Sequence, residues 1–396
     1  MSKEFEKHEN MCCSFCGLPA SMSNFAIEGR NGSLICEDCV EQCQRIIMRS
    51  CSDEFEPFKV KPAKTIKKEL DTYIIGQENA KKAIAVALYE HIIRCNHPEL
   101  NLEKSNVLLI GPSGCGKTLI VETLAKIAGV PVSINSATSL TESGYVGDDV
   151  ENVLLRLYQN SGENLSLTEH GIVYIDEIDK IARKSGQNTS ITKDVGGEGV
   201  QQALLKMVEG AVIDVPLEGG RKHPGGNNIS INTENILFIF SGAFSEIKKD
   251  TATDKISIGF DSKNNCFEMS QKVKLTAEDL IEFGMIAELI GRIPIIEEIE
   301  PLTLSQLTEI LTKPKNAITK QYKALFRSSG VTLKFNKSAL EAIANHALEK
   351  GIGARGLRSY MEDVLRDHIF ELDAESEPKN KTITITEKNI REKRCS

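Results

Sequence analysis

Residues 107–118 read Val-Leu-Leu-Ile-Gly-Pro-Ser-Gly-Cys-Gly-Lys-Thr, an apolar run followed at once by a glycine-rich loop. The loop matches the pattern G-x-x-x-x-G-K-[ST], and it follows a predicted strand and opens a predicted helix, as that pattern requires. Its glycines let backbone N–H groups turn inward around phosphates, and the start of the helix adds partial positive charge. The residues predicted to contact ATP are Gly111, Pro112, Ser113, Gly114, Cys115, Gly116, Lys117 and Thr118.

Two carboxylates follow a second apolar run, in Gly171-Ile-Val-Tyr-Ile-Asp-Glu177. Ligands of open α/β sheets bind at the carboxyl ends of the strands, so Asp176 and the Thr118 hydroxyl are predicted to hold Mg²⁺. Glu177 is then expected to face the γ-phosphate and activate water, with Lys117 on the β- and γ-phosphates. The pattern therefore predicts ATP hydrolysis; the alternative is an acidic turn that caps the next helix.

Apolar runs alternate with helical patterns through the middle of the chain. Four of them are predicted to be buried strands: Val107–Ile110, Val130–Ile134, Ile172–Ile175 and Ile236–Phe240. Such alternation predicts a mostly parallel sheet with helices on both faces, which is an α/β fold.

From about Pro301 onward the pattern becomes mainly helical. Ser338–Lys350 and Ala354–Phe370 are predicted amphipathic helices, and Val331–Phe335 and Thr382–Thr386 are predicted strands. We therefore expect a small, mainly helical lid domain after the α/β domain.

At 396 residues the chain exceeds the length that one hydrophobic core sustains, so we expect more than one domain. The sequence patterns divide it into four parts. These are a zinc-binding domain, a linker with two prolines and alternating charge, a large ATPase domain and the lid domain, at residues 1–51, 52–69, 70–300 and 301–396.

The composition limits the partners. A formal net charge of −8 disfavours general nucleic-acid binding, which needs a basic surface. No apolar run approaches the ~20 residues of a membrane span. The amino-terminal residues lack the apolar segment of a secretory signal, so we expect a cytoplasmic protein.

Seven of the 11 cysteines lie in the first 51 residues. In a reducing compartment such crowding indicates metal rather than disulfides. The spacing C-x₂-C, 19 residues, C-x₂-C predicts one structural Zn²⁺ in a Cys₄ ribbon-like module, held by Cys13, Cys16, Cys36 and Cys39. Cys12 and Cys43 remain rival ligands because each lies close in sequence to one of these cysteines, although the x₂ spacing favours the four named. The few basic residues nearby favour a protein-binding role over nucleic acid.

Several motifs resemble the ClpX family of AAA+ ATPases, and the resemblance runs from about Cys12 to Phe370. These motifs are Tyr73–Gln77, Gly144–Asp149, Gly197–Lys206, Arg221–His223, Ile258–Phe260 and Gly353–Arg358, together with the nucleotide loop. The resemblance implies a homohexameric ATP-dependent unfoldase that feeds proteins to the ClpP peptidase.

The resemblance also implies roles for residues that would otherwise be ordinary surface positions. Arg292 corresponds to the arginine finger that a neighbouring subunit supplies, and Arg355 to the sensor arginine of the lid domain. Ile75 is implied to contact the nucleotide. The zinc domain of the family receives adaptors and some substrates.

Two loops are candidates for substrate contact. Tyr145 and Val146 lie between glycines, which disfavours a core strand and indicates an exposed loop. In the ClpX family this loop lines the axial pore, and Arg221, Lys222 and His223 resemble the cationic loop at its entrance. The alternatives are a tyrosine folded back on its own domain and a solvated basic turn.

A tripeptide in a polar insertion, Ile258, Gly259 and Phe260, has no evident core to join. The resemblance implies that it docks on ClpP; the alternative is a local small core.

Two other functions of the whole protein stay open: a nucleic-acid motor and a remodelling chaperone without a peptidase. Cys115 is a candidate for thiol oxidation.

Overall fold

The computed structural model describes residues 12–19, 26–29, 32–43, 57–141, 148–183, 197–217, 228–247, 275–372 and 381–394. Among these residues, five parallel strands form the central sheet in the order β11-β3-β10-β7-β4. The strands are β3 (Val107–Ile110), β4 (Val132–Ser136), β7 (Ile172–Asp176), β10 (Leu237–Gly242) and β11 (Ile295–Glu298). The predicted parallel α/β sheet is confirmed.

Both faces of this sheet are covered, as the continuous apolar character of its strands predicts. Along β3 the side chains alternate between two cores, with Val107 and Leu109 in one and Leu108 and Ile110 in the other. The helices around the sheet are α1 (Ala63–Asp71), α2 (Glu78–Asn96), α3 (Lys117–Ala128), α4 (Asn152–Asn160), α5 (Leu165–Glu169), α6 (Glu198–Glu209), α7 (Ala277–Glu282) and α8 (Ala287–Gly291).

Small pairs of strands flank the sheet in the described part of the chain. β5 (Leu140–Thr141) and β6 (Asp148–Asp149) are parallel, whereas β8 (Val212–Pro216) and β9 (Asn228–Asn232) form an antiparallel pair.

Strand β4 begins two residues later than the sequence pattern predicts. Gly129 ends α3 in the left-handed conformation, and Pro131 uses its carbonyl to accept a hydrogen bond from Ile172 N. The chain therefore turns at residues 129–131 before the strand begins.

The carboxyl-terminal region has its own apolar core, as predicted. Its helices are α9 (Leu304–Thr312), α10 (Ile318–Ser328), α11 (Lys337–Glu349), α12 (Ala354–Phe370) and α13 (Glu387–Arg394). The predicted strands form a parallel pair, β12 (Val331–Phe335) and β13 (Lys381–Ile385).

The predicted linker, residues 52–69, ends in helix α1, which is a difference from the expectation. Ile66 and Leu70 of α1 are buried in the core that also contains α2 and α3. Phe58 and Asn96 exchange hydrogen bonds of 2.9 and 2.8 Å. The chain from residue 57 onward therefore packs with the large α/β body.

The cysteine-rich region contains a short antiparallel pair, β1 (Ala26–Glu28) and β2 (Leu34–Cys36). Across the described ranges, every helix is too short or too polar to cross a membrane.

Candidate nucleotide site and zinc centre

The loop after β3 takes the backbone shape that the glycine pattern predicts. Gly114 and Gly116 have φ angles of +76° and +101°, which side chains with a Cβ rarely adopt. A Cβ on Gly114 would also lie 2.2 Å from the backbone oxygen of Ile352. Only glycine fits at this position, because the carboxyl-terminal region approaches the loop so closely.

Lys117 opens helix α3, and its side chain folds back over the loop. The ammonium donates hydrogen bonds to the carbonyl oxygens of Gly111 at 2.7 Å and Pro112 at 3.0 Å. Only 8% of the residue is exposed. Positive charge and a helix amino terminus therefore meet at the loop, and these features fit a bound triphosphate.

Asp176 ends strand β7 beside the first turn of α3. Its Oδ2 accepts a hydrogen bond of 3.2 Å from the Thr118 hydroxyl. Its Oδ1 accepts from Ser241 and, at 2.9 Å, from the backbone N–H of Glu177. A carboxylate and a hydroxyl side by side next to a phosphate loop are oxygen donors of the kind that fit Mg²⁺.

Glu177 follows directly and adopts φ 60° and ψ 37°, a left-handed conformation that is uncommon for a residue with a side chain. Its Oε2 accepts hydrogen bonds from Ser136 at 3.2 Å and Thr138 at 3.4 Å. Ser136 is the last residue of β4, and Thr138 follows it in the next turn. The neighbouring strand therefore holds the exposed carboxylate in one orientation.

Arg355 reaches the same loop from the carboxyl-terminal region. Its Nη1 lies 3.3 Å from the Ser113 hydroxyl, to which it donates, and Ala354 N donates to Gly114 O at 2.9 Å. Both residues begin helix α12 after Gly353, which has a φ of +63°. The start of α12 therefore brings Arg355 into contact with its own nucleotide loop.

Arg292 lies elsewhere. Its carbonyl accepts a hydrogen bond of 2.8 Å from Asn106, the residue before β3, and Ile295 begins β11 opposite Val107. Its guanidinium pairs with Glu209 at 3.0 Å. The loop leaves the other end of β3, so one strand length separates Arg292 from its own nucleotide loop.

Ile75 is half buried in the turn before α2. Beside it, Gln77 donates to Glu300 O at 2.7 Å and accepts from Glu300 N at 3.1 Å. Glu300 lies where the chain passes from the sheet to the carboxyl-terminal region. The turn that carries Ile75 is therefore tied to this passage.

Sequence reasoning missed Ser241, Ser136 and Thr138, which contact the two carboxylates, and Gln77. The available signal was position: Ser136 is the last residue of β4 and Ser241 follows the apolar run of β10, and parallel sheets bind ligands at the carboxyl ends of their strands.

Cys115 is 4% exposed, and its thiol donates to Pro112 O at 2.9 Å. Burial raises its pKa. Because oxidation proceeds through an accessible thiolate, these features disfavour the oxidation sensitivity that the sequence suggests.

The predicted zinc ligands come together. The sulfurs of Cys13, Cys16, Cys36 and Cys39 all lie within 4.8 Å of one another. A tetrahedral Zn²⁺ with bonds of ~2.3 Å needs sulfurs about 3.8 Å apart, so this set fits the metal with small adjustments. Among the described residues this is the grouping that could hold a metal, and the rivals Cys12 and Cys43 lie outside it.

Backbone N–H groups also favour thiolate at one ligand. The N–H of Cys16, then those of Cys36 and Phe15, lower the pKa of Cys13 to about 6. The Cys36 N–H lies 3.4 Å from the Cys13 sulfur. These N–H groups favour the thiolate form of Cys13, which is the form that binds metal.

Three groups of predicted site residues lie outside the described residues, and their roles stay predictions. They are Tyr145 and Val146, Arg221–His223, and Ile258–Phe260.

Comparisons with known proteins agree with this arrangement. Residues 102–296 match the AAA domain (Cdc48 subfamily), residues 302–385 the C-terminal, D2-small domain of ClpB protein, and residues 11–49 the ClpX C4-type zinc finger. The ATP-dependent Clp protease ATP-binding subunit ClpX of Treponema denticola is 46% identical over 394 residues, which cover 96% of this chain and 94% of the relative. The chain therefore belongs to the ClpX family of AAA ATPases, with ATP, Mg²⁺ and Zn²⁺ as its cofactors.

Proposed function

We propose that this protein uses ATP hydrolysis to unfold proteins and to pass them to a ClpP peptidase. The convergence of the Lys117 loop, Asp176, Glu177 and Arg355 on one place carries the proposal, because it joins phosphate binding, water activation and a contact from the carboxyl-terminal region. The identity with a ClpX protein over nearly the whole chain supports the choice of substrate class.

In the proposed site, Thr118 and Asp176 hold Mg²⁺, which when bound neutralises phosphate charge. Lys117 binds the phosphates together with the loop backbone. Glu177 orients the attacking water and accepts its proton, and Ser136 and Thr138 keep the carboxylate directed to that task. Ile75 is proposed to contact the nucleotide.

Arg292 is proposed as a finger for the neighbouring subunit's nucleotide. Its position at the far edge of the sheet, a strand length from its own loop, supports action in trans. Action in trans requires an oligomer, and from the family resemblance we propose a homohexamer.

Arg355 is proposed to report nucleotide state to the carboxyl-terminal region through the start of α12. Large motions of that region are then coupled to the loop by the Ser113 and Gly114 contacts. We propose three domains: a zinc domain, a large domain that starts near residue 57 rather than 70, and a lid domain from residue 301. Arg355 would then connect the lid domain to the nucleotide loop of the large domain.

The substrate path is proposed from the family resemblance. Tyr145 and Val146 grip the chain, Arg221, Lys222 and His223 attract it at the entrance, and Ile258, Gly259 and Phe260 dock on ClpP. The zinc module receives adaptors and substrates. A cytoplasmic location is proposed because crowded cysteines that bind metal suit a reducing compartment.

Degradation of a folded fluorescent protein with an unstructured tag tests the proposal. We expect fluorescence loss with ATP, this protein and ClpP together, and peptide products only when ClpP is present. Phe260→Ala should abolish the products while ATP turnover remains. Loss of fluorescence that does not need ATP, or ATP turnover without any unfolding, would contradict the assignment.

A further inference from the structure

Tyr174 places a polar group in an otherwise apolar region of the fold. It lies in the middle of β7 with 0% exposure, in the core cluster that includes Ile120, Ile172 and Ile239. A buried hydroxyl is unfavourable unless it finds a hydrogen-bond partner. Phenylalanine would fill nearly the same volume without that requirement, so the hydroxyl calls for a role of its own.

The hydroxyl finds its partners at the carboxyl edge of the sheet. The oxygen of Tyr174 lies 2.7 Å from the Ser241 hydroxyl and 3.5 Å from the Thr118 hydroxyl. Both of these hydroxyls contact the carboxylate of Asp176, Ser241 through Oδ1 and Thr118 through Oδ2. The Tyr174 hydroxyl therefore contacts both of the hydroxyl groups that donate to the Asp176 carboxylate.

The direction of these hydrogen bonds follows from proton counting. An ionised carboxylate only accepts, so the single hydroxyl proton of Ser241 goes to Asp176. Ser241 then has only lone pairs to offer Tyr174, and Tyr174 must donate. A phenol is protonated at neutral pH and has one proton to donate. The result is a directed chain from Tyr174 through Ser241 to Asp176.

We propose that Tyr174 is a positioning residue for the Mg²⁺ site, acting through Ser241 to fix the rotation of the Asp176 carboxylate beside Thr118. Without the phenol, Ser241 can rotate and donate elsewhere, and Asp176 loses one of its fixed partners. Hydrogen bonds in such a chain polarise and strengthen one another. This inference rests on the proposed ATPase site and adds a residue that acts through Ser241 rather than as a ligand.

Equilibrium binding of a fluorescent ATP analogue, in excess EDTA and in excess Mg²⁺, separates metal positioning from general packing. We define the Mg²⁺ gain as the ratio of the nucleotide affinity in Mg²⁺ to the affinity in EDTA. For Tyr174→Phe we expect the affinity in EDTA to stay within about twofold of that of the unmodified protein. The Mg²⁺ gain should fall about fivefold, which is the effect of losing one hydrogen bond. An unchanged gain, or equal losses in both conditions, would overturn the proposal.

Tyr158→Phe is the matched control, because Tyr158 is a tyrosine in α4, 2% exposed, in the core on the other face of the sheet. Its Mg²⁺ gain should match that of the unmodified protein. Ser241→Ala should lower the gain at least as much as Tyr174→Phe. Combining the two changes should add no further loss, since both act through one chain of bonds. Additive losses would contradict action through Ser241.

If Tyr174→Phe proves unfolded in a thermal melt without nucleotide, Ser241→Ala and Ser241→Thr carry the test. The threonine keeps the hydroxyl and should keep the Mg²⁺ gain, whereas equal losses in both variants would refute the chain. The unmodified protein gives an independent check on the proposed function. If it binds no nucleotide, the ATPase assignment itself fails; if it binds with a normal gain and the variants do too, only this inference fails.

Discussion

The carboxyl edge of the central sheet carries the phosphate loop after β3, Asp176 as the last residue of β7 and Ser241 as the penultimate residue of β10. The amino edge, by contrast, carries Arg292 beside Asn106. At the first edge, side chains from distant parts of the sequence contact one another around a common centre. At the second, the arginine is paired with Glu209, a strand length from its own loop.

This difference indicates which parts of the site a single chain supplies. The four residues of β3 span ~10 Å, so the two edges are well separated. One chain supplies the glycine, lysine, hydroxyl and carboxylate groups at the carboxyl edge, and it also supplies the contact from Arg355. In the proposed role, the charge of Arg292 acts on a nucleotide bound to another copy. Variants at the two edges should therefore fail in different ways.

The largest effect is expected from Arg292→Ala at the amino edge. An arginine that stabilises charge during phosphoryl transfer contributes about 10³-fold or more to the rate, so steady-state ATP turnover should fall by that order. Nucleotide binding by isolated subunits should persist, because the loop residues are intact. Arg327→Ala, at an exposed arginine in α10, is the control and should turn over ATP normally. Full ATP turnover by Arg292→Ala would show that Arg292, and with it the amino edge, takes no part in hydrolysis.

Glu177→Gln tests the carboxyl edge and should reduce turnover by about 10²-fold or more, as expected for loss of a general base. ATP should bind at least as well as before, because the phosphate contacts remain. The two measurements are single-turnover hydrolysis and equilibrium binding. Loss of binding would mean that Glu177 holds the loop rather than water.

The carboxyl edge was largely predictable from sequence, because its strongest signals are local. The loop and the Asp176–Glu177 pair each occupy a few consecutive residues, and their spacing follows from phosphate chemistry. Ser241 lies 65 residues from Asp176, and a single serine at the end of a strand has many ordinary explanations. Its role becomes visible only when β10 and β7 pair.

The amino edge gives no comparable local signal. Arg292 and Glu209 are 83 residues apart, and neither belongs to a pattern with its own chemistry. Arg292 was identified by family resemblance, and the structure adds its location. Helix α1 escaped prediction for a related reason: Ile66 and Leu70 are its buried contacts, too few for a clear helical pattern.

A smaller effect is expected from Arg355→Ala, at the contact between α12 and the loop. Loss of one hydrogen bond from a charged group should weaken nucleotide binding about tenfold. Arg358→Ala changes an exposed arginine in the next turn of the same helix and serves as the control. Equal effects of the two changes would argue for a general charge effect instead of a specific contact.

The smallest effect is expected from Glu209→Gln. The pair with Arg292 is half exposed, at 58% and 42%, and such ion pairs are weak. Releasing Arg292 should raise turnover by no more than about threefold, and salt should diminish the difference. A drop greater than about tenfold would show instead that Glu209 orients Arg292 for its task.

Mixing two inactive variants tests the shared site most directly. In an oligomer assembled from equal amounts of Glu177→Gln and Arg292→Ala subunits, roughly a quarter of the interfaces pair an intact Glu177 with an intact Arg292 from its neighbour. Energy transfer between labelled subunits verifies that mixed oligomers form. We expect the mixture to hydrolyse ATP far faster than either variant alone. Turnover no higher than the average of the two separate preparations would contradict a site completed by the neighbouring subunit.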